Sequence, residues 1–194
     1  MELILVRHGL PEEGGDPPLT PAGVKQAERV ARRLASEGVD HIVSSPMRRA
    51  IETAIPLSER VGLEIEIVEA LAEADRNAPA YFVVERFRRE HPDKWREFIA
   101  DPLRYLGVDP LAFCNEVIGA FEQLIAQYPG QKVAVFNHAL VTNAFIAHIL
   151  GLDPTKPKFA AIAYCSITRI RTSRSGQRTL IAFNDTGHFA KEGN

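Results

Sequence analysis

Two histidines and a pair of arginines each stand just beyond a short apolar run. Leu3-Ile4-Leu5-Val6 leads into Arg7-His8-Gly9, His41-Ile42-Val43 into Ser44-Ser45-Pro46-Met47-Arg48-Arg49, and Lys132 to Phe136 into Asn137-His138. A neutral imidazole is a nucleophile, and its ordinary pKa of about 6.5 leaves much of it neutral near pH 7. Guanidinium groups clamp non-bridging phosphoryl oxygens, and phosphoryl transfer is catalysed mostly by positioning and electrostatic stabilisation. The combination predicts phosphoryl transfer. His8 attacks directly, Arg7 and one of Arg48 and Arg49 hold the oxygens, and His138 adds a donor that is favoured in its protonated form beside a phosphate. A leaving alkoxide needs a proton, for which a carboxyl near the phosphate, its pKa raised, is suited. Glu73 is the candidate. Any one of these residues alone reads as a surface or hydrogen-bonded structural group; their recurrence at strand ends points to chemistry.

The elements that must position them follow from periodicity. Leu3 to Val6 suits a strand buried on both faces, as in a parallel sheet. Thr20-Pro21 reads as an N-cap with proline at the first helical position, and Ala27, Val30, Ala31 and Leu34 form one face of a helix closed near Gly38. His41 to Val43 is a second strand, Ser45-Pro46 a second cap-and-proline signal, and Pro56 a predicted kink or interruption in the helix that follows, which runs to about Gly62. Glu64 to Val68 alternates charged and apolar residues, as a half-exposed edge strand does. From Ala74 to about Pro110 the alternation is lost in short fragments broken by prolines, which predicts an insertion capping the sheet. Cys114 to Ile125 forms a longer helix, Lys132 to Phe136 another buried strand, and Ala139 to Leu150 a helix ended by Gly151. Ala163 to Arg171 and Thr179 to Phe183 read as a closing hairpin around Arg174-Ser175-Gly176. The order begins βαβαβ, and in such sheets sites form beyond the carboxyl ends of strands.

Composition excludes other classes. A length of 194 residues fits one domain, and 45% apolar with 25% charged residues is ordinary for a packed soluble protein. A net charge of -2 supplies no broad field for nucleic acid or an anionic membrane. Cys114 and Cys165 show no CxxC spacing, so neither a disulfide framework nor a zinc site is expected. With no basic leader and no long hydrophobic segment, the expected compartment is the cytoplasm. No HExxH or comparable close pair supports a metal-dependent hydrolase using His8, His138 and a carboxylate. Neither a metal nor a cofactor is expected, and the expected partner is a small phosphorylated substrate; oligomeric state is open.

These residues resemble the histidine phosphatase superfamily, which shares its fold and chemistry with cofactor-dependent phosphoglycerate mutases. Leu3 to Gly9 resembles its strand ending in Arg-His-Gly, and Leu19-Thr20-Pro21-Ala22-Gly23 with Gln26-Ala27 its LTxxGxxQA helix start. Ser44 to Ala50 resembles the segment whose arginine before alanine binds phosphate, which selects Arg49 over Arg48. Leu71-Ala72-Glu73 is similar to the segment supplying the proton donor, Val133 to His138 to the strand leading to the second catalytic histidine, and Asn184-Asp185-Thr186-Gly187-His188 to a closing structural or pocket-rim segment. The resemblance implies one three-layer α/β/α sandwich over residues 1–194. Its central sheet is mostly parallel, phosphoglycerate mutase-like, with a small helical cap over about 74–110. It also implies a phosphomonoesterase of the histidine acid phosphatase type, working through a phosphohistidine on His8.

Departures bear on substrate and donor. Leu10-Pro11 replaces the usual acidic and hydroxyl pair, and the loop to Leu19 lacks the mutases' tryptophan-asparagine segment. Asn137-His138-Ala139 stands where Ser-His-Gly is usual. Ala74-Asp75-Arg76-Asn77 replaces the expected continuation after Glu73, so Asp75, Glu12 and Glu13 stay open as alternative donors. The short tail after Asn184 favours a phosphatase over a mutase, which is the second reading. A catalytically silent binding module of the same fold is the third.

Overall fold

The computed structural model describes residues 1–78, 81, 84–156, 160–173 and 175–190. Six strands, β1 (Glu2–Arg7), β2 (His41–Ser44), β3 (Ile65–Ile67), β4 (Lys132–Asn137), β5 (Ile167–Thr172) and β6 (Arg178–Asp185), form one sheet in the order β3-β2-β4-β1-β5-β6. The β3, β2, β4 and β1 pairings are parallel; β5 runs antiparallel to both β1 and β6. Successive residues of the central strands supply opposite faces, which is why their apolar runs are continuous. Ile4, Val6, Ile42 and Phe136 pack under helices α1 (Pro21–Ala35) and α2 (Arg48–Val61). Leu3, Leu5, Val43 and Val135 pack under α6 (Pro110–Gln127) and α7 (Ala139–Ile149), whose Phe121 and Phe145 rings stack 4.2 Å apart. The result is the three-layer α/β/α sandwich that the sequence implies. Three short helices, α3 (Val84–Glu90), α4 (Pro92–Ala100) and α5 (Pro102–Tyr105), occupy the expected cap.

Strand register brings the chemistry-bearing segments together. Arg7 lies opposite Asn137, and Ser44 opposite Phe136, so β1, β2 and β4 end at one edge. The ladder continues past that edge: the His8 amide donates to the Asn137 carbonyl at 2.9 Å, and the Ser45 amide to that of Phe136 at 2.9 Å. The Asn137 side chain is fully engaged, donating to the Val135 carbonyl at 3.0 Å while accepting from the Thr142 hydroxyl at 2.6 Å.

Two glycines explain how tightly the segment after His8 is held. A Cβ on Gly23, in the first turn of α1, would sit 2.2 Å from the Leu10 carbonyl oxygen, and one on Gly9 would sit 2.8 Å from that of Gly23. Backbone meets backbone there, so a methyl group has no flexible neighbour to displace. The Thr20 hydroxyl caps α1 by accepting from the Gly23 amide and donates to the Leu10 carbonyl, both at 2.9 Å.

Some element boundaries differ from expectation. The second cap-and-proline signal does not cap α2, whose N-cap is Met47 with no side-chain cap bond, because the Ser45 hydroxyl is engaged by His138 at 2.7 Å. Pro56 sits buried within an unbroken α2. The strand expected from Ala163 begins only at Ile167: Cys165 takes a left-handed conformation with φ 52° while its amide donates to the Arg7 and His8 carbonyls. In the closing hairpin, Gly176 has φ 83°, and Arg174 lies outside the described residues. Both cysteines are free and buried.

Gly23→Ala should therefore lower stability by about 2 kcal/mol or more, the cost of overpacking a closed contact. Urea unfolding, read as a fall in midpoint at unchanged slope, checks this.

Candidate active site

His8 emerges from β1 almost fully buried. Its Nδ1 lies 2.8 Å from its neighbour's carbonyl, that of Gly9; a carbonyl only accepts, so Nδ1 carries the hydrogen and the lone pair of the neutral ring sits on Nε2. Burial, then the charges of Arg49 and Arg7, hold the His8 pKa well below the usual imidazole value of 6.5. The ring is thus neutral in the free site, with its Nε2 lone pair unprotonated.

Arg7 and Arg49 frame it differently. Arg7 donates through Nη1 to the Ile162 carbonyl and stacks on the Tyr164 ring, 3.9 Å from its centroid. Arg49 has no exposed surface, pairs with Asp75 at 2.7 Å, and lies 4.8 Å from the Tyr81 centroid. Arg7 Nε and Arg49 Nε and Nη1 are buried and have no hydrogen-bond partner among the described residues. Arg48 is exposed, paired with Glu52 at 2.7 Å.

His138 is the residue before α7, its ring centroid 5.1 Å from that of His8. The Ser45 hydroxyl accepts from the Met47 amide at 3.3 Å and contacts His138 Nε2 at 2.7 Å, while His138 Nδ1 is buried and unpartnered among the described residues. Burial foremost, with Arg49, His8 and Arg7, lowers the His138 pKa well below 6.5, so the ring is neutral in the free site.

Glu73 is buried, and both its oxygens are fixed: Oε1 accepts from the Ala74 amide at 3.0 Å and Oε2 from the Leu140 amide at 2.9 Å. The second bond makes Glu73 the side-chain cap that α7 otherwise lacks. Burial, followed by the nearby Asp75 carboxylate, outweighs those bonds and Arg49, raising the Glu73 pKa to about 7. Glu73 and Asp75 line the cavity above His8. Glu12 and Glu13 do not: both are exposed, and Glu13 pairs with Arg86 at 3.0 Å.

The structure thus brings together His8, Arg7, Arg49, His138 and Glu73. It also places two residues that the sequence reading missed. Tyr81 and Tyr164 contact each other through their hydroxyls at 2.9 Å, and their ring centroids lie 6.2 and 5.6 Å from that of His8. No motif flags them; only their tertiary stacking on Arg7 and Arg49 does. Asn184 is structural: it accepts from the Ala163 amide at 2.8 Å and donates to the Ala161 carbonyl at 2.9 Å, pinning the loop that carries Ile162 and Tyr164. Among the described residues, no group of three or more His, Cys, Asp or Glu side chains is arranged to hold a metal ion, and no helix is long and apolar enough to cross a membrane.

The model of the histidine phosphatase superfamily (branch 1) matches residues 3–186. Phosphoserine phosphatase 1 of Hydrogenobacter thermophilus is 30% identical over 167 residues, covering 80% of this chain and 79% of that one. A protein of Proteus mirabilis named "Probable phosphoglycerate mutase" is 25% identical over 182 residues, covering 88% and 84%. A mycobacterial glucosyl-3-phosphoglycerate phosphatase structure with VO3 superposes with a TM-score of 0.79 at 22% identity, covering 95% of this chain and 99% of that one, a likeness of fold.

A general acid titrating near 7 makes kcat/KM fall as pH rises through that value, because the protonated carboxyl is the active form. Asp75→Asn removes a carboxylate that raises the Glu73 pKa and frees Arg49, which lowers it, so both effects act in one direction. The alkaline limb of kcat/KM should move to lower pH than in the parent on the same substrate. An unmoved limb would assign it to another group.

Proposed function

The chain belongs to the histidine phosphatase superfamily, and on that premise we propose that it is a metal-independent phosphatase hydrolysing phosphomonoesters through a phosphohistidine on His8. The observation that carries this reading is the convergence of buried nitrogens without partners among the described residues, the N–H groups of Arg7 and Arg49 and the Nδ1 of His138, around a neutral imidazole whose Nε2 bears the lone pair. Desolvated donors left unpaired are costly, and a tetrahedral dianion satisfies several of them at once.

The proposed reaction has two steps. His8 Nε2 forms a bond to phosphorus as the ester P–O bond breaks, and the Glu73 carboxyl gives its proton to the departing oxygen. The Glu73 carboxylate then takes a proton from water, whose oxygen bonds to phosphorus as the N–P bond breaks. Phosphate leaves, His8 is neutral again and Glu73 is protonated. Arg7 and Arg49 hold the oxygens throughout, and a bound dianion raises the His138 pKa toward its charged, donating form. Hydrolysis is favoured over transfer back to a phosphoglycerate by the 30% identical relative named a phosphoserine phosphatase. The compartment proposed is the cytoplasm.

Acid-quenched enzyme should carry acid-labile, base-stable phosphate, and His8→Ala should abolish both the label and turnover, with the parent unaffected by chelator. Full activity in that variant would overturn the mechanism. Glu73→Gln should cost about 10²- to 10⁴-fold on alkyl phosphates and much less on an activated aryl phosphate, which departs with little protonation. Equal losses would place the donor elsewhere.

A further inference from the structure

The cavity above His8, about 390 Å³ in volume, has two halves of different chemistry. Its charged part is formed by Arg7, His8, Arg49, Glu73 and Asp75. Beyond them the cap contributes Trp95, Phe98 and Leu106, and the loop pinned by Asn184 contributes Ala160, Ala161 and Ile162. Three further polar side chains also line it, and the Tyr81 hydroxyl is already engaged by that of Tyr164 at 2.9 Å. The Asn143 amide nitrogen is committed to the Ala160 carbonyl at 2.9 Å, and its buried oxygen, without a partner among the described residues, is an acceptor that gives a carboxylate nothing. Arg88 is exposed, where an ion pair is screened by water and worth little.

A phosphomonoester whose phosphoryl group reaches His8 must place its alcohol against these apolar residues. An alcohol bearing a carboxylate near the ester oxygen would meet Asp75, whose charge stands beside Arg49 in the charged part, and would then be desolvated against aromatic and aliphatic carbon, which is unfavourable without a partner. A hydrophobic alcohol meets neither penalty, and each methylene it buries is worth about a fourfold gain in affinity. We infer that the leaving-group half of the cavity, walled by Trp95, Phe98, Leu106 and Ile162, selects phosphomonoesters of hydrophobic, especially aryl-bearing, alcohols over phosphorylated hydroxy acids and amino acids. This rests on the phosphatase reading above and adds to it the class of substrate.

The experiment compares alkyl esters only, so that leaving-group chemistry varies little: kcat/KM of the full chain for 2-phenylethyl phosphate, ethyl phosphate, phosphoserine and 3-phosphoglycerate, by phosphate release. The expected result is that 2-phenylethyl phosphate exceeds each of the others by about tenfold or more. Trp95→Ala narrows the phenylethyl-to-ethyl ratio, and Trp95→Phe, which keeps an aromatic wall, largely preserves it. Phosphoserine or 3-phosphoglycerate hydrolysed as well as or better than the phenylethyl ester overturns the inference while leaving the phosphatase reading intact. A ratio indifferent to Trp95→Ala overturns the assigned wall. Hydrolysis of none of the four, with no phosphohistidine formed, overturns both readings.

Discussion

Arg49 is a guanidinium with no exposed surface, and much of the site is arranged by it. A desolvated charge is tolerated only when opposed and hydrogen-bonded. Asp75 supplies one counter-charge at 2.7 Å and the Tyr81 ring an electron-rich face, yet Nε and Nη1 keep no partner among the described residues. The unbalanced part of that charge acts on its neighbours. With burial as the larger cause, it helps to hold the pKa of both histidines well below the usual imidazole value, which leaves both rings neutral in the free site.

Glu73 shows the opposite resolution of burial. Its carboxyl lies in the same low-dielectric site, but two backbone amides fix it in place, one of them at the first turn of α7. Those bonds favour the ionised form, whereas burial and Asp75 favour the neutral one. The balance, near 7, lets the group give and take a proton at neutral pH. Because Glu73 also caps the helix that begins beside His138, the orientation of the acid and of that histidine depend on the same turn.

The apolar reach of the cavity comes from elements that do not belong to the sheet. Trp95 and Phe98 ride on α4, and Ile162 on a loop fixed by Asn184 near the carboxyl end of β6. On the proposed reading, phosphate chemistry and leaving-group selection are carried by separate parts of the chain.

By itself the sequence determined the three-layer fold and the positions of His8, Arg7, Arg49 and His138. Those residues follow continuous apolar runs, and a parallel strand buried on both faces must end where its polar residues begin. Local chemistry made the Thr20 cap legible too, whereas Gly23 and the choice of Arg49 over Arg48, which lies exposed against Glu52, came from the family resemblance. Only the tertiary structure decided what depends on distance between segments far apart in the chain. Ser45 binds His138 across 93 positions instead of capping α2, and Cys165 takes a left-handed turn to reach the Arg7 and His8 carbonyls. Tyr81 and Tyr164 meet across 83 positions to stack on the two arginines, and Glu73 is singled out from Glu12 and Glu13 by burial and by the Leu140 amide. Periodicity and capping are properties of neighbours along the chain; desolvation, charge coupling and ring stacking are properties of neighbours in space, and these set the protonation states on which the site depends.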